Sequence, residues 1–450
     1  MNKDYKNLLK KLIKSYYDDN FYEEVSNLQK ETNFNEEEFK AIISSLCGIK
    51  LEQNDNLIET LRKGITNYKI SAKLVEKVHS CSDSCKEESS KPRKCVASCP
   101  FNAIVEDPLS HNLLINSDLC SDCGVCVNVC EEGSFLEKIE LIPLLELLKN
   151  NKNVIAIVAP AIIGQFGKDV TMDKLRTSFF KIGFKDMIEV AFAADMLTLK
   201  EAVEFDHHVK NPNDLLITSC CCPMWIAMIK KVYHSLVKDV SPSVSPMIAA
   251  ARVLKFLNPE VKVVFIGPCI AKKAEAREAD LVGDVDLVLT FDELKSIYDT
   301  LSINPKDLEE TVSVEYASKG GRIYARAGGV SIAVGDAIEE LFNEKHHLYN
   351  PKNVHGVKEC KEILKDIQEG NKINANFIEG MGCIGGCVGG PKRIISKEEG
   401  LESVDKFAFS SPIKTPNNSE LILDLFKRLN INSFEDLTDP KKTEIFHRKF

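Results

Sequence analysis

Three cysteine loops, far apart in the chain, carry the chemistry. The first is Thr218-Ser219-Cys220-Cys221-Cys222-Pro223-Met224-Trp225 and the second is Pro268-Cys269-Ile270-Ala271-Lys272. The third runs from Glu379 through Gly380, Met381, Gly382, Cys383, Ile384, Gly385 and Gly386 to Cys387. Thiolates are the usual protein ligands of iron–sulfur clusters, and Gly or Pro in such loops lets backbone approach a cluster closely. A soft iron site favours thiolates, and Cys383 and Cys387 can turn two sulfurs toward one cluster while Gly385 and Gly386 avoid side-chain clashes. A second constellation precedes these loops: Cys81, Cys85, Cys95 and Cys99-Pro100, then Cys120, Cys123, Cys126 and Cys130. Paired cysteines of this kind also suit tetrahedral zinc. Two sets of four, with a proline directly after Cys99, favour iron–sulfur clusters instead.

These loops need elements to position them. At 450 residues the chain is long enough for about two to four domains with a well-buried core. Residues 1–72 look helical: Leu8, Leu9, Leu12, Ile13 and Tyr16 recur at helical spacing, Asn35 with Glu36, Glu37 and Glu38 makes a capped start, and Gly48 a stop. That pattern predicts a helical cap or docking module, with Cys47 a buried hydrophobe. Residues 73–136 form the cysteine-rich segment. Residues 137–450 read as α/β after a helical connector over 137–150, with short apolar runs at 154–158, 215–218, 261–266 and 375–378 suited to buried strands. A special loop follows each run, the first being Ala159-Pro160-Ala161. Sites in open α/β sheets collect beyond the carboxyl ends of strands, so the four loops are expected to enclose one pocket.

The sixteen cysteines cluster at short spacings, which fits metal binding in a reducing compartment better than a disulfide framework. The Lys-rich amphipathic start is no signal core, and no uninterrupted apolar run reaches about 18 residues, so the expected location is cytoplasmic with no membrane span. The net charge of −9 mixes both signs along the chain, leaving no basic footprint for nucleic acid.

The run Cys120, Cys123, Cys126, Cys130 resembles that of bacterial two-cluster ferredoxins, where the last cysteine of each half serves the other half's cluster. This implies Cys81, Cys85, Cys95 and Cys130 on one four-iron cluster and Cys99, Cys120, Cys123 and Cys126 on another. The nine residues between Cys85 and Cys95 depart from that pattern and form a charged loop with Lys86, Glu87, Glu88, Lys91 and Arg93.

Taken in order, the three catalytic-type loops resemble the signature of the FeFe-hydrogenases, and further similar segments include residues 284–290 and Ala327-Gly328-Gly329-Val330. The resemblance implies an H-cluster, a four-iron cubane linked to a two-iron unit with carbon monoxide, cyanide and azadithiolate. It assigns Cys222, Cys269, Cys383 and Cys387 to the cubane, Cys221 to proton exchange, Lys272 to a cyanide ligand, Met381 to the two-iron unit, and Ala159, Pro160 and Ala161 to the loop around the second cyanide. The family pattern has two cysteines before the proline where this chain has three. Anchoring on Pro223 and Trp225 gives Cys221 as relay and Cys222 as ligand; anchoring on Thr218 and Ser219 gives Cys220 and Cys221. Glu201 and Glu204, on one face of a helix, match the relay glutamates, with Ser243 or Ser245 as the serine between them. Gly267 stands where many relatives have another methionine, implying a roomier or differently hydrated pocket. Cys360 has no assigned role and is taken as structural. The implied activity is interconversion of hydrogen with protons and electrons, the electrons passing through the two clusters to a ferredoxin or flavodoxin, and maturation proteins are implied partners. The alternatives are the related cluster-assembly adaptors, which carry no two-iron unit, and a slow hydrogen sensor.

Overall fold

The protein is described by a computed structural model, covering every residue except 1–2, 53–54, 72, 82–84, 86–92, 219 and 314–315. Lys86, Glu87, Glu88 and Lys91 of the charged loop lie outside the described residues.

Four helices open the chain: α1 (Lys3–Tyr17), α2 (Phe21–Glu31), α3 (Glu36–Leu46) and α4 (Leu57–Thr66). The α3 start is a capping box, in which Asn35 Oδ1 accepts from Glu38 N at 2.9 Å and the Glu38 carboxylate accepts from Asn35 N. Past its end Gly48 sits at φ +69°, where a Cβ would meet the Ile139 carbonyl at 2.7 Å. The helices do not form a core of their own. Leu9, Leu12, Phe39 and Ile43 continue into Leu141 and Ile142, then into Phe291 and Leu294 of the α/β region. Cys47 is fully buried there.

The cysteine-rich segment is built from two small antiparallel pairs. Strand β1 (Val75–Lys77) pairs with β4 (Phe135–Glu137), and β2 (Ile104–Glu106) with β3 (Leu113–Ile115). Two short helices, α5 (Lys94–Ala97) and α6 (Val125–Val129), carry Cys95 and Cys126. The connector expected to be helical from 137 first completes β4 and becomes helix α7 only over Leu141–Asn150. Glu137 and Lys138, polar and buried, keep that first stretch extended, through β-pairing and ion pairs.

Two parallel sheets follow. The four-stranded one has the order β6-β5-β8-β9, from β5 (Val154–Val158), β6 (Asp186–Glu189), β8 (Lys262–Gly267) and β9 (Leu287–Thr290). The three-stranded one has the order β10-β11-β7, from β7 (Leu216–Ile217), β10 (Pro351–His355) and β11 (Phe377–Met381). The four apolar runs therefore divide between two sheets, two to each. Helices connect the strands: α8 (Met172–Ile182), α9 (Val190–His208), α10 (Pro223–Lys231), α11 (Pro246–Leu257), α12 (Ala271–Glu275), α13 (Phe291–Leu301), α14 (Lys319–Ile323), α15 (Gly329–Leu341), α16 (Asn343–His346) and α17 (Val357–Gln368), with α18 (Lys397–Phe409) and α19 (Glu420–Arg428) closing the chain. Helix α9 is buried almost throughout, so it reads apolar on every side except where Asp195, Lys200, Glu201 and Glu204 interrupt it. Asp195 accepts from Ser318 N at 2.7 Å and Gly321 N at 2.9 Å, and burial still pushes its pKa up to about 7. Among the described residues no helix is long and apolar enough to cross a membrane.

Candidate metal centre

The first loop leaves β7 and ends as the start of α10, with Cys222 at the N-cap and Pro223 in the first turn. Trp225, fully buried, reaches back to donate from Nε1 to the Thr218 carbonyl at 2.9 Å. Its ring lies against Gly380, where a Cβ would come within 2.2 Å of it. Both ends of the loop are thus held, and the extra residue must be taken up between them. Cys220 turns inward, buried, its thiol donating to the Ser241 carbonyl at 3.1 Å. Cys221 instead packs against the apolar cluster that contains Met381, Tyr324 and Phe377. Cys222 accepts from Gly382 N at 3.3 Å and so faces the third loop.

The third loop turns sharply at Gly385 and Gly386, both at φ +86°, and a Cβ on Gly386 would meet Ala327 N at 2.6 Å. Glu379, fully buried, fixes the opposing segment by accepting from Gly328 N at 2.8 Å, Ser331 N at 2.8 Å and Ser331 Oγ at 2.7 Å. The result brings Cys222, Cys269, Cys383 and Cys387 within electrostatic reach of one another, every pair included. Burial pushes the Cys269 thiol up to about 11 and that of Cys387 up to about 12. Cys221 lies beside Cys387, Cys222 and the Lys272 ammonium, and burial raises its thiol as well. Lys272 is itself buried and donates to Glu275 Oε2 at 2.6 Å. Burial works against its charge, but Glu275 outweighs that and leaves the pKa above its ordinary value. The other Glu275 oxygen, Oε1, is buried without a partner.

Gly267 does not enlarge the pocket as its missing side chain suggested. The Phe265 ring fills that place, 2.6 Å from where a Cβ would stand, and Ala159 adjoins it at 3.4 Å. Ala159, Pro160 and Ala161 leave β5 in a single 3-10 turn, tied to β8 by Ala159 N donating to the Ile266 carbonyl at 2.9 Å. Cys360, fully buried with its thiol 3.4 Å from the Met381 carbonyl, is a packing residue.

In the cysteine-rich segment the thiols fall into two groups of electrostatic neighbours. Cys81, Cys85, Cys95 and Cys130 form one, and Cys99, Cys120, Cys123 and Cys126 the other. Cys123 also neighbours Cys383, so the second group adjoins the three-loop centre. The fit is set by Gly124, at φ +75°, where a Cβ would run into the Ile270 side chain at 2.6 Å. Among the described residues no three or more His, Cys, Asp and Glu are tight enough to hold a single metal ion. A buried set of four thiols with Gly-lined walls suits a polynuclear cluster, whose ligands stand at separate corners.

A polar line runs outward behind the first loop, within electrostatic reach of Cys220. Thr218 Oγ1 donates to Glu201, and Lys200 Nζ donates to Glu204. Ser241 Oγ donates to Glu204 Oε2 at 2.6 Å and accepts from Ser243 Oγ at 2.9 Å, and Lys200 Nζ donates to Ser243 Oγ at 2.8 Å. Of the three serines in this stretch, Ser241 is the one bonded to a relay glutamate, Glu204. Ser243 binds Lys200, and Ser245 is spent capping α11 through Ile248 N. The serine pattern Ser241-Pro242-Ser243-Val244-Ser245 offers three equivalent hydroxyls in sequence, and only the fold separates them.

Burial raises the Glu201 pKa from its ordinary 4.5 to about 8. The folded state thus holds a proton that the unfolded chain releases, so stability falls as pH rises from 4.5 to about 8. Glu201→Gln is expected to flatten that fall, as read from urea unfolding of the reduced apoprotein at about pH 5 and about pH 8.

The model of the iron only hydrogenase large subunit, C-terminal domain, matches residues 152–391, more than half of the chain. The chain belongs to that family. It is 28% identical over 347 residues to the NADP-reducing hydrogenase subunit HndD of Solidesulfovibrio fructosivorans, a match that covers 64% of this chain and 58% of that protein. The chain therefore spans little more than half the length of that relative. It is also 33% identical over 110 residues to the cytosolic Fe-S cluster assembly factor NAR1 homolog of Schizosaccharomyces japonicus, covering 22% of this chain and 21% of that one. A solved variant of the [FeFe]-hydrogenase HydA1 from Chlamydomonas reinhardtii shares the fold, with a TM-score of 0.55 at 22% identity over 66% of this chain and 94% of that chain. The family match stops short of both the N-terminal helices and the last 59 residues (450 − 391).

Proposed function

We propose that the protein is an FeFe-hydrogenase that interconverts hydrogen with protons and electrons. The observation that carries this reading is Cys221: a fifth thiol placed beside the four-thiol set and a buried ammonium, with a polar line of Thr218, Glu201, Glu204 and Ser241 behind the same loop. In this reading Cys222, Cys269, Cys383 and Cys387 hold the cubane of an H-cluster. That cofactor supplies an open iron and a basic amine on which hydrogen can be split or formed. The chain's own residues do the rest. Lys272 offers a charge-assisted donor for an anionic ligand, trading or sharing its Glu275 partner. Met381, Ala159, Pro160 and Ala161 line the pocket and exclude water. Cys221 passes a proton between the pocket and Glu201, and Ser241 links the line to Glu204. Cys81, Cys85, Cys95 and Cys130 would hold one four-iron cluster and Cys99, Cys120, Cys123 and Cys126 a second, beside Cys383, and these clusters would supply a path for electrons. A ferredoxin or flavodoxin in the cytoplasm is the proposed carrier, and maturation proteins supply the two-iron unit.

The matches to cluster-assembly factors support a second reading, an adaptor that holds clusters without turning over hydrogen. Infrared spectroscopy separates the two. Expressed anaerobically with the hydrogenase maturation proteins, the chain is expected to give the bands of metal-bound carbon monoxide and cyanide. If a known hydrogenase matured alongside shows them and this chain does not, the adaptor reading stands. Lys272→Asn is expected to weaken those bands relative to the wild type at equal iron content in the cubane, and unchanged band intensity would remove the role given to Lys272.

A further inference from the structure

The last residues of the chain lie across the outer end of the polar line. Val244 N donates to the Phe446 carbonyl at 2.9 Å and Arg448 N to the Pro242 carbonyl at 2.9 Å, so residues 446–448 run alongside 242–244 with His447 opposite Ser243. Neighbours along an extended segment point to opposite sides. Phe446 and Arg448 are buried, Phe446 in the core and Arg448 on Glu278 and Asp280 at 2.8 and 3.2 Å. His447 is half-buried, within electrostatic reach of Lys200 and Glu204 on α9. Its carbonyl is held by Arg252 of α11 at 2.8 Å. It also lines an open cleft of about 990 Å³, whose walls include Arg252, Lys255, Lys441, Lys442 and Lys449.

We propose that His447 is the surface end of the proton line, exchanging protons between the solvent of this cleft and Glu204. This rests on the hydrogenase reading above. The step moves a proton alone: the imidazolium N–H bond breaks as a water of the cleft takes that proton and passes one on to form a carboxyl O–H at Glu204, and the imidazole regains its proton from solvent, with the reverse order for hydrogen oxidation. An imidazole suits the position because its ordinary pKa lies nearest neutrality among side chains. The charged groups facing it are Lys200 and Glu204 from α9, Arg252 from α11 and Lys449 from its own segment. Burial lowers its pKa, with Lys200 adding to that effect and Glu204 opposing it. His447 lies outside the span of the family model, in a segment that sequence motifs did not single out.

Two measurements test this. In the full-length apoprotein, the His447 ring is followed by nitrogen-detected nuclear magnetic resonance, assigned by its loss in His447→Gln. Its titration midpoint is expected to fall in Glu204→Gln and to rise in Lys200→Met. A midpoint unmoved by both shows that the ring does not sense the line and overturns the proposal, whatever the protein's activity. In the matured protein at low buffer concentration, His447→Gln is expected to lower hydrogen turnover about ten-fold or more, with the loss restored by added imidazole. Wild-type turnover in His447→Gln, or a loss that imidazole does not restore, also overturns it. A wild-type protein that shows no turnover fails the hydrogenase reading instead, and the resonance measurement still decides whether His447 and Glu204 are coupled.

Discussion

Replacing Cys221 with alanine is expected to lower hydrogen turnover by about two to four orders of magnitude while leaving the four-iron centre in place. The thiol has two properties that nothing nearby duplicates. It stands beside Cys387, Cys222 and Lys272, and it lies on the side of the loop that faces the pocket. Thr218, in the same loop, donates to Glu201 and begins the outward line. Cys220→Ala makes the contrast. That thiol points away, onto the Ser241 carbonyl, in a core with Ile217, Trp225 and Val240. Its loss removes a small packing group and one weak hydrogen bond, and turnover should stay within a few-fold of wild type. Parallel measurement of hydrogen evolution and of cubane iron content in the two variants checks both statements. The reverse result, an active Cys221→Ala and an inactive Cys220→Ala, would move the relay and the ligand one residue earlier.

The sequence disclosed the cysteine loops and their strands because each is a local pattern. A short apolar run followed at once by cysteine, proline or glycine is visible in a window of ten residues, and Trp225 with Pro223 located the loop's end. What stayed hidden depended on contacts between distant segments. The division of four strands into two sheets follows from pairing between 216–217 and 377–378, and between 154–158 and 262–266, which no periodicity encodes. The choice of Ser241 over Ser243 and Ser245 depends on how the segment crosses α9. Gly267 read as added space because a missing side chain is all that a sequence can show; Phe265, two residues earlier on the same face of β8, takes that space. The N-terminal helices read as a helical cap or docking module, since Leu8, Leu9, Leu12 and Ile13 satisfy an amphipathic pattern without showing what they pack on. Their partners, Leu141, Phe291 and Leu294, lie one hundred residues and more away.

Lys392→Met is expected to destabilise the protein by about 3–5 kcal/mol, the cost of leaving a buried carboxylate with no opposite charge. Lys392 Nζ lies 2.5 Å from Glu137 Oε1, and both side chains are almost wholly out of solvent. Neither Glu137 oxygen has any other hydrogen-bond partner. The pair joins β4, at the end of the cysteine-rich segment, to the stretch just past Cys387, where Lys392 N also donates to the Pro268 carbonyl at 3.0 Å. Burial on its own would raise the Glu137 pKa, but Lys392 and then Lys273 outweigh it and hold the group at about 2, against an ordinary 4.5. The folded value lies below the unfolded one, so the stabilisation is fully present above pH 4.5 and is lost as pH falls from there toward about 2. Lys392→Met should therefore weaken the protein most at neutral pH and least in acid, where Glu137 is protonated in either chain. The double change Glu137→Leu with Lys392→Met removes both charges together and should cost far less than Lys392→Met alone. Urea unfolding of the three proteins at about pH 7 and at steps down toward about pH 2 reads the difference. Equal losses in the single and double variants would mean that the two side chains act through their packing, with the charges balanced by something other than each other.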